Sequence, residues 1–189
     1  LRAFAGTGIT DYTIPSDVVM LGSGSVVGWD NLQSIIFPAS LRSLYSDWQS
    51  DCDNLEYFFG PKASGDHHGL ILGDQLVSAT PILPKEYTVP GDIKRIFWSV
   101  FQGNKTTETL IIPDQVESVG NYCFYGMSKL KTLQLSASLV SVGAMAFRLC
   151  SRLEHLYIRS ASPPSYPADS GSTYFGHTGL TIHIPEGTS

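Results

Sequence analysis

Charge is scarce in this chain. Of 189 residues only 15% are Asp, Glu, Lys or Arg, and 12 basic against 17 acidic side chains leave a formal charge of −5. That balance offers no electrostatic attraction for a phosphate backbone, so nucleic acid is not an expected partner. Cysteine is scarce too. The three present, Cys52, Cys123 and Cys150, are an odd set without a Cys-x-x-Cys pair; they exclude a disulfide framework and read as small buried hydrophobes. No apolar run approaches the roughly 18 to 20 residues of a membrane-spanning helix, so no membrane insertion is expected within this segment. Leu1-Arg2-Ala3 lacks the charged-then-apolar pattern of a secretion signal.

Catalytic motifs are missing as well. There is no His-Glu-x-x-His, no Gly-x-Ser-x-Gly and no kinase-like series, and Gly22-Ser23-Gly24 lacks the lysine that would complete a phosphate loop. The expectation is a non-enzyme with no cofactor and no metal. Asp66-His67-His68 sets three possible ligands in a row, but adjacent residues rarely converge on one ion, and a polar stretch flanked by glycine is an ordinary turn. Asn104-Lys105-Thr106 fits the N-glycan acceptor pattern, which matters only in a eukaryotic secretory host.

What the chain does have is a period. Tyr87, Leu110, Leu133 and Leu156 are spaced by 23 residues, as are Val89, Ile112, Leu135 and Ile158. Further columns keep step: Ile93, Val116, Leu139; Ile96, Val119, Val142; Phe101, Phe124, Phe147; Asn104, Met127, Cys150. The same ruler fits Tyr12, Ile35 and Phe58, whereas the steps from Phe58 to Tyr87 and from Leu156 to Ile182 are 29 and 26 and mark insertions. Within a unit, Leu130-x-x-Leu133-x-Leu135 alternates as a strand, and Val142-Gly143-x-x-Ala146-Phe147 carries the spacing of a short helical arc. One such coil cannot bury its apolar side alone, so neighbours stack and their strands pair in parallel. About eight coils at ~4.8 Å per strand make a rod roughly 40 Å long.

The pattern Leu-x-Ile-Pro-x-x-Val-x-x-Val-Gly-x-x-x-Phe, seen from Leu110 and again in the unit from Leu133, resembles the BspA-like leucine-rich repeats of bacterial surface proteins. The ending is similar too, with Pro163-Pro164, Phe175-Gly176 and Leu180 to Gly187. Together, repeat and resemblance predict an α/β repeat: a right-handed leucine-rich-repeat solenoid with a parallel β-sheet, short helical return arcs and one inserted β-hairpin. The expected organisation is a single domain, with a first repeat block over 1–61, a hairpin insertion over 62–86, and a second block with a closing strand over 87–189. The hairpin itself is expected near 69–78, from Leu70-Ile71-Leu72, a Gly73-Asp74-Gln75 turn and Leu76-Val77-Ser78. Phe4 in an arc position implies that the segment begins mid-unit. The Pro-rich stretch 161–169 breaks the strand-and-arc pattern and is expected to be a surface loop.

Strand alternation then assigns a solvent face. With Leu133 and Leu135 inward, Thr132 and Gln134 on either side of Leu133 point outward. One outward column runs Asp11, Ser34, Tyr57, Glu86, Thr109, Thr132, His155, Thr181, and the other Thr13, Ile36, Phe59, Thr88, Ile111, Gln134, Tyr157, His183. Two patches are expected there, one of Ile36, Tyr57 and Phe59 and one of Ile111, Gln134, His155 and Tyr157. Flat rings on a rigid sheet supply contact area at small entropic cost. The expected role is a non-catalytic protein-interaction or adhesion module. Alternatives are a structural spacer positioning another domain and a glycan-binding module. The resemblance implies a secreted or surface-exposed bacterial protein, with an outer-membrane lipoprotein as one form, whose partners are host or extracellular-matrix proteins or surface glycans.

The facing is testable. Leu133→Asp and Phe124→Asp bury an unpaired charge and are expected to be severely destabilising, while Thr132→Asp is expected to be nearly neutral. Similar melting temperatures for all three variants would overturn the assignment.

Overall fold

A computed structural model describes residues 8–167 and 179–186. In the first repeat block lie β1 (Asp11–Thr13), β2 (Met20–Leu21), β3 (Val26–Val27), β4 (Ser34–Ile36), β5 (Ser43–Leu44), β6 (Gln49–Ser50) and β7 (Tyr57–Phe59). A hairpin follows, made of β8 (Gly69–Leu72) and β9 (Gln75–Ala79). The second block holds β10 (Glu86–Thr88), β11 (Arg95–Ile96), β12 (Thr109–Ile111), β13 (Ser118–Val119), β14 (Thr132–Gln134), β15 (Ser141–Val142), β16 (His155–Tyr157) and β17 (Thr181–His183).

The strands pair in parallel at the period read from the sequence. Leu110 stands beside Leu133 and Leu133 beside Leu156, and Tyr12, Ile35 and Phe58 are likewise in file. The result is a parallel-strand β-solenoid of about seven turns. Each coil offers a front strand and a second short strand, and in the second block the second strands pair as β9, β11, β13 and β15. Ile96, Val119 and Val142 align along that side. Phe101, Phe124 and Phe147 stack face to face inside, with ring centroids 6.0 and 5.7 Å apart and planes within 6° and 13°. Surface ion pairs repeat the period as well, Lys94 to Glu117 and Lys131 to Glu108, although exposed pairs of this kind add little stability.

The return arcs are not helical. Among the described residues there is no helix, and the expectation of short helical return arcs is corrected by how the arcs bond. Alternate N–H groups donate to the next coil: Ser99 to Asn121 O, Phe101 to Cys123 O, Gly103 to Tyr125 O, then Tyr122 to Ala144 O, Phe124 to Ala146 O and Gly126 to Arg148 O. An N–H that reaches across to the neighbouring coil is not available to close a helical turn within its own. The backbone accommodates this with left-handed residues at fixed places, Ser99, Tyr122 and Met145 in one column and Gly103, Gly126 and Leu149 in another. In the first block the corresponding side is extended, and β3 pairs with β6. Trp48, in the arc there, is fully buried against Phe37 and Phe58.

Coils approach closely at several glycines. A Cβ on Gly143 would lie 2.3 Å from the Asn121 backbone nitrogen, and one on Gly120 would lie 2.8 Å from the Phe97 carbonyl carbon. Neither neighbour is a flexible side-chain tip.

The hairpin occupies the expected place, and it is stitched in rather than hung outside. Its second strand, β9, pairs in parallel with β11 and sets Leu76 beside Ile96, while β8 closes that sheet antiparallel. Leu70 and Val77 pack into the first block's core, Leu76 packs into the second, and Phe97 touches both. The front strands do not run through this point: β1, β4 and β7 form one sheet, and β10, β12, β14, β16 and β17 another. Between them the turn 66–68 takes the place of a rung, with the Phe58 N–H donating to the His67 carbonyl at 2.7 Å.

Part of the Pro-rich stretch is ordered into the sheet. Ser165 bridges Ser141, the Ser165 N–H donates to Val140 O and the Val142 N–H donates to Ser165 O, because the open edge of β15 supplies partners that the repeat pattern does not reveal. Residues 168 and 169 of that stretch, Phe4 and the Phe175-Gly176 motif lie outside the described residues.

Two substitutions test the backbone geometry. Gly143→Ala forces a methyl group into the neighbouring coil's main chain and is expected to cost about 1 to 3 kcal/mol. Leu149, half exposed at φ 62°, occupies the column that glycine fills at 103 and 126; Leu149→Gly is expected to stabilise by about 1 kcal/mol by relieving left-handed strain. Denaturant midpoints measure both.

Candidate interaction surface

The front face is built by the alternation of each three-residue strand. Inward residues such as Leu110, Leu133 and Leu156 are buried, and the flanking residues look outward in register. Most of the two predicted columns are exposed or half-buried. Ser34 is the exception: it is buried, and its Oγ donates to Asp11 Oδ1 at 2.5 Å. That bond and one from Thr10 Oγ1 at 2.8 Å hold the Asp11 carboxyl below the usual carboxylate range. At the other end Ile182, inward by alternation, is 50% exposed.

The predicted first patch is present and larger than expected. Ile36 and Tyr57 are exposed and Phe59 is half-buried, with Ile36 beside Phe59 in register. The rings of Tyr57 and Phe59 lie 6.1 Å apart. The turn 66–68 adds two imidazoles: His67 packs on Phe59 at 4.7 Å, and His68 stacks on Tyr57 at 5.8 Å. Asp66 shapes the turn by accepting from Ser64 Oγ at 2.5 Å and from the His68 N–H at 3.2 Å. His68 Nδ1 sits 3.1 Å from the Glu56 carbonyl oxygen and 3.2 Å from Thr80 Oγ1, so Asp66, His67 and His68 engage separate partners. Beneath, Tyr87 meets His68 edge-on; burial first, and the Asp66 carboxylate second, push its phenol well above the ordinary range. Tyr57 donates from its hydroxyl to Glu56 Oε1 at 2.8 Å, which raises its own phenol.

The residues of the second predicted patch lie on adjacent strands, and the rings of His155 and Tyr157 are 6.4 Å apart. Ile111, Gln134 and Tyr157 follow one another in register, each half-buried. His155 lies in the other column and also meets the ring of His183, at 3.2 Å between His155 Nδ1 and His183 Nε2. His183 stacks flat on Tyr157, 4.1 Å between centroids and 8° between planes. The sequence columns contained His183, but its stacking on Tyr157 is set by side-chain rotamers that a column does not specify. His67 and His68 had no column at all.

Away from the front face, a cleft of about 410 Å³ opens where the two blocks meet, lined by Asp47, Asp51, Ser78, Trp98, Asn104 and Lys105 among others. Asn104 is buried there and donates through Nδ2 to the Pro81 carbonyl at 3.0 Å, so its amide is engaged within the fold. Among the described residues no group of three or more His, Cys, Asp or Glu converges as a metal site, and no helix is long and apolar enough to cross a membrane.

The repeat geometry has a counterpart among known families. The sequence matches the BspA type leucine rich repeat region in six copies, over residues 1–65 and 83–180. This chain belongs to that family. The gap between the two matched stretches falls on the hairpin, where the BspA-type repeat is interrupted. Three solved structures share the fold. The pneumococcal vaccine antigen PcpA aligns with a TM-score of 0.63 at 18% identity, over 89% of this chain and 39% of that one. A leucine rich cell surface protein from Faecalibacterium prausnitzii gives 0.58 at 18% identity, over 93% and 60%. A leucine-rich repeat protein from Eubacterium ventriosum gives 0.61 at 20%, over 82% and 44%. The BspA-type chain described here thus spans less than two thirds of the length of each. No curated protein matches it.

The three cysteines of this BspA-type coil stack are buried and not joined in disulfides. Burial pushes each up, Cys150 to about 12, and Cys150 Sγ donates to the Phe124 carbonyl at 3.0 Å. Because the thiolate is the reactive form, the native protein is expected to resist an alkylating reagent at pH 8, with all three cysteines reacting in denaturant. Mass spectrometry of the alkylated protein reads the difference.

Proposed function

We propose that this chain is a non-catalytic recognition module of a surface-exposed or secreted bacterial protein, and that its front face carries the binding. The observation that supports it is a pair of clusters of outward rings on the front face. Tyr57, Phe59, His67 and His68 cluster at one place and His155, Tyr157 and His183 at another. Backbone pairing between coils fixes the spacing of the rings carried on strands, so little conformational freedom remains there to be lost on binding. Ile36 widens the first cluster, and Ile111 and Gln134 extend the second along the strands. Family membership is consistent with protein interaction, and one structural neighbour is described as a cell surface protein.

The partner is a protein of the host or its extracellular matrix. The test is a screen of the purified chain against serum and matrix proteins, with a carbohydrate array in parallel. Replacing Tyr57, Phe59 and Tyr157 together by Ser is expected to abolish retention of the captured protein while leaving the melting temperature close to that of the parent. Retention by the triple variant would remove this face from the reading. A signal confined to the carbohydrate array would assign glycan binding instead, and silence in both would leave the role of a spacer.

A further inference from the structure

The imidazole pair at the end of the front face stands at a separation that serves a shared metal ion as well as a hydrogen bond. His155 on β16 and His183 on β17 are diagonal neighbours: Tyr157 stands beside His183 in the strand register, and His155 beside Thr181. Their nearest nitrogens, Nδ1 of His155 and Nε2 of His183, are 3.2 Å apart, and the ring planes meet at 47°. Two imidazole nitrogens bound at 2.0 to 2.1 Å to one tetrahedral ion are separated by about 3.3 Å. Strand register and side-chain rotamers together hold the two donors close to the separation that chelation needs.

Two further features favour capture. Tyr157 lies flat against His183 at 4.1 Å and limits rotation of that ring, which lowers the ordering cost of binding. Both histidines are half-buried, so the ion keeps solvent access. In the neutral pair one ring holds a proton between the two nitrogens; moving that proton to the ring's far nitrogen frees both lone pairs without a net change in charge.

We infer that His155 and His183 form a two-imidazole chelate for a divalent transition ion of the Zn2+, Ni2+ or Cu2+ type, with water or a partner's side chain completing the coordination. Imidazole nitrogen suits this class, and the order of affinities predicts Cu2+ to bind tightest of the three. Calcium and magnesium, which take oxygen ligands, are not held. The site does not rest on the front face binding a protein, because it is measured on the chain by itself.

The experiment is titration of the purified chain with CuCl2 and with ZnCl2 by calorimetry, together with electron paramagnetic resonance of the copper-loaded protein. One equivalent of copper with nitrogen hyperfine structure from two imidazoles is expected. His155→Ala and His183→Ala are each expected to lose that binding, while the His67→Ala/His68→Ala variant retains it. Both mutated side chains lie at the surface, and an unchanged melting temperature without metal confirms that the variants fold. Absence of binding to the parent chain, or its survival in either single variant, would overturn the assignment. Loss of binding in the His67→Ala/His68→Ala variant would overturn it equally.

Discussion

Backbone pairing between coils at an offset of 23 residues is the constraint on which the rest depends. It operates on the front strands, on the second strands and along the arcs, where alternate N–H groups reach carbonyls of the next coil. Where successive coils are bonded at this one offset, each side chain sits on its counterpart in the coil before it. Leucine stacks on leucine, and phenylalanine on phenylalanine. The main chain must also pass within contact distance of the neighbouring coil, which is why Gly120 and Gly143 have no room for a methyl group. Buried area and hydrogen bonding are in this way products of one periodic arrangement rather than separate achievements of each coil.

The junction shows what happens when the period is interrupted. Six additional residues between Phe58 and Tyr87 cannot be taken up by a coil that must stay in register on both sides. The chain folds them into a hairpin whose second strand rejoins the stack beside β11. This keeps the second side continuous within the second block and breaks the front side, so the outward face becomes two short sheets with a histidine turn between them. The same interruption divides the hydrophobic interior into two clusters that share Phe97. A local insertion thereby shapes the surface on which the proposed recognition takes place.

Much of the fold was legible in the sequence because the core positions are the ones that repeat. A column such as Leu110, Leu133, Leu156 records which residues stack, and strand alternation around it assigns facing without further information. The arcs were misread for a physical reason. Apolar residues at Val142, Ala146, Phe147 and Cys150 have the spacing of one helical face, and spacing does not reveal whether an N–H bonds within its own segment or to the next coil. The glycines at 103 and 126 were the available signal, since left-handed residues at a fixed place in each arc are incompatible with a continuous helix. Ser34 stays in its outward column but is buried, its hydroxyl donating to the carboxylate of Asp11 beside it in register.

By itself the sequence determined the period, the stacking columns, the position of the hairpin and which strand residues look outward, because these follow from apolar spacing and from the two-sided geometry of a strand. Only the tertiary structure decided where the 66–68 turn lands, that its histidines join Tyr57 and Phe59, and that His155 meets His183 across adjacent strands. Those contacts join residues with no periodic relation. They arise from how an insertion repacks and from which rotamers neighbouring rings leave open, and neither is written in the spacing of residues along the chain.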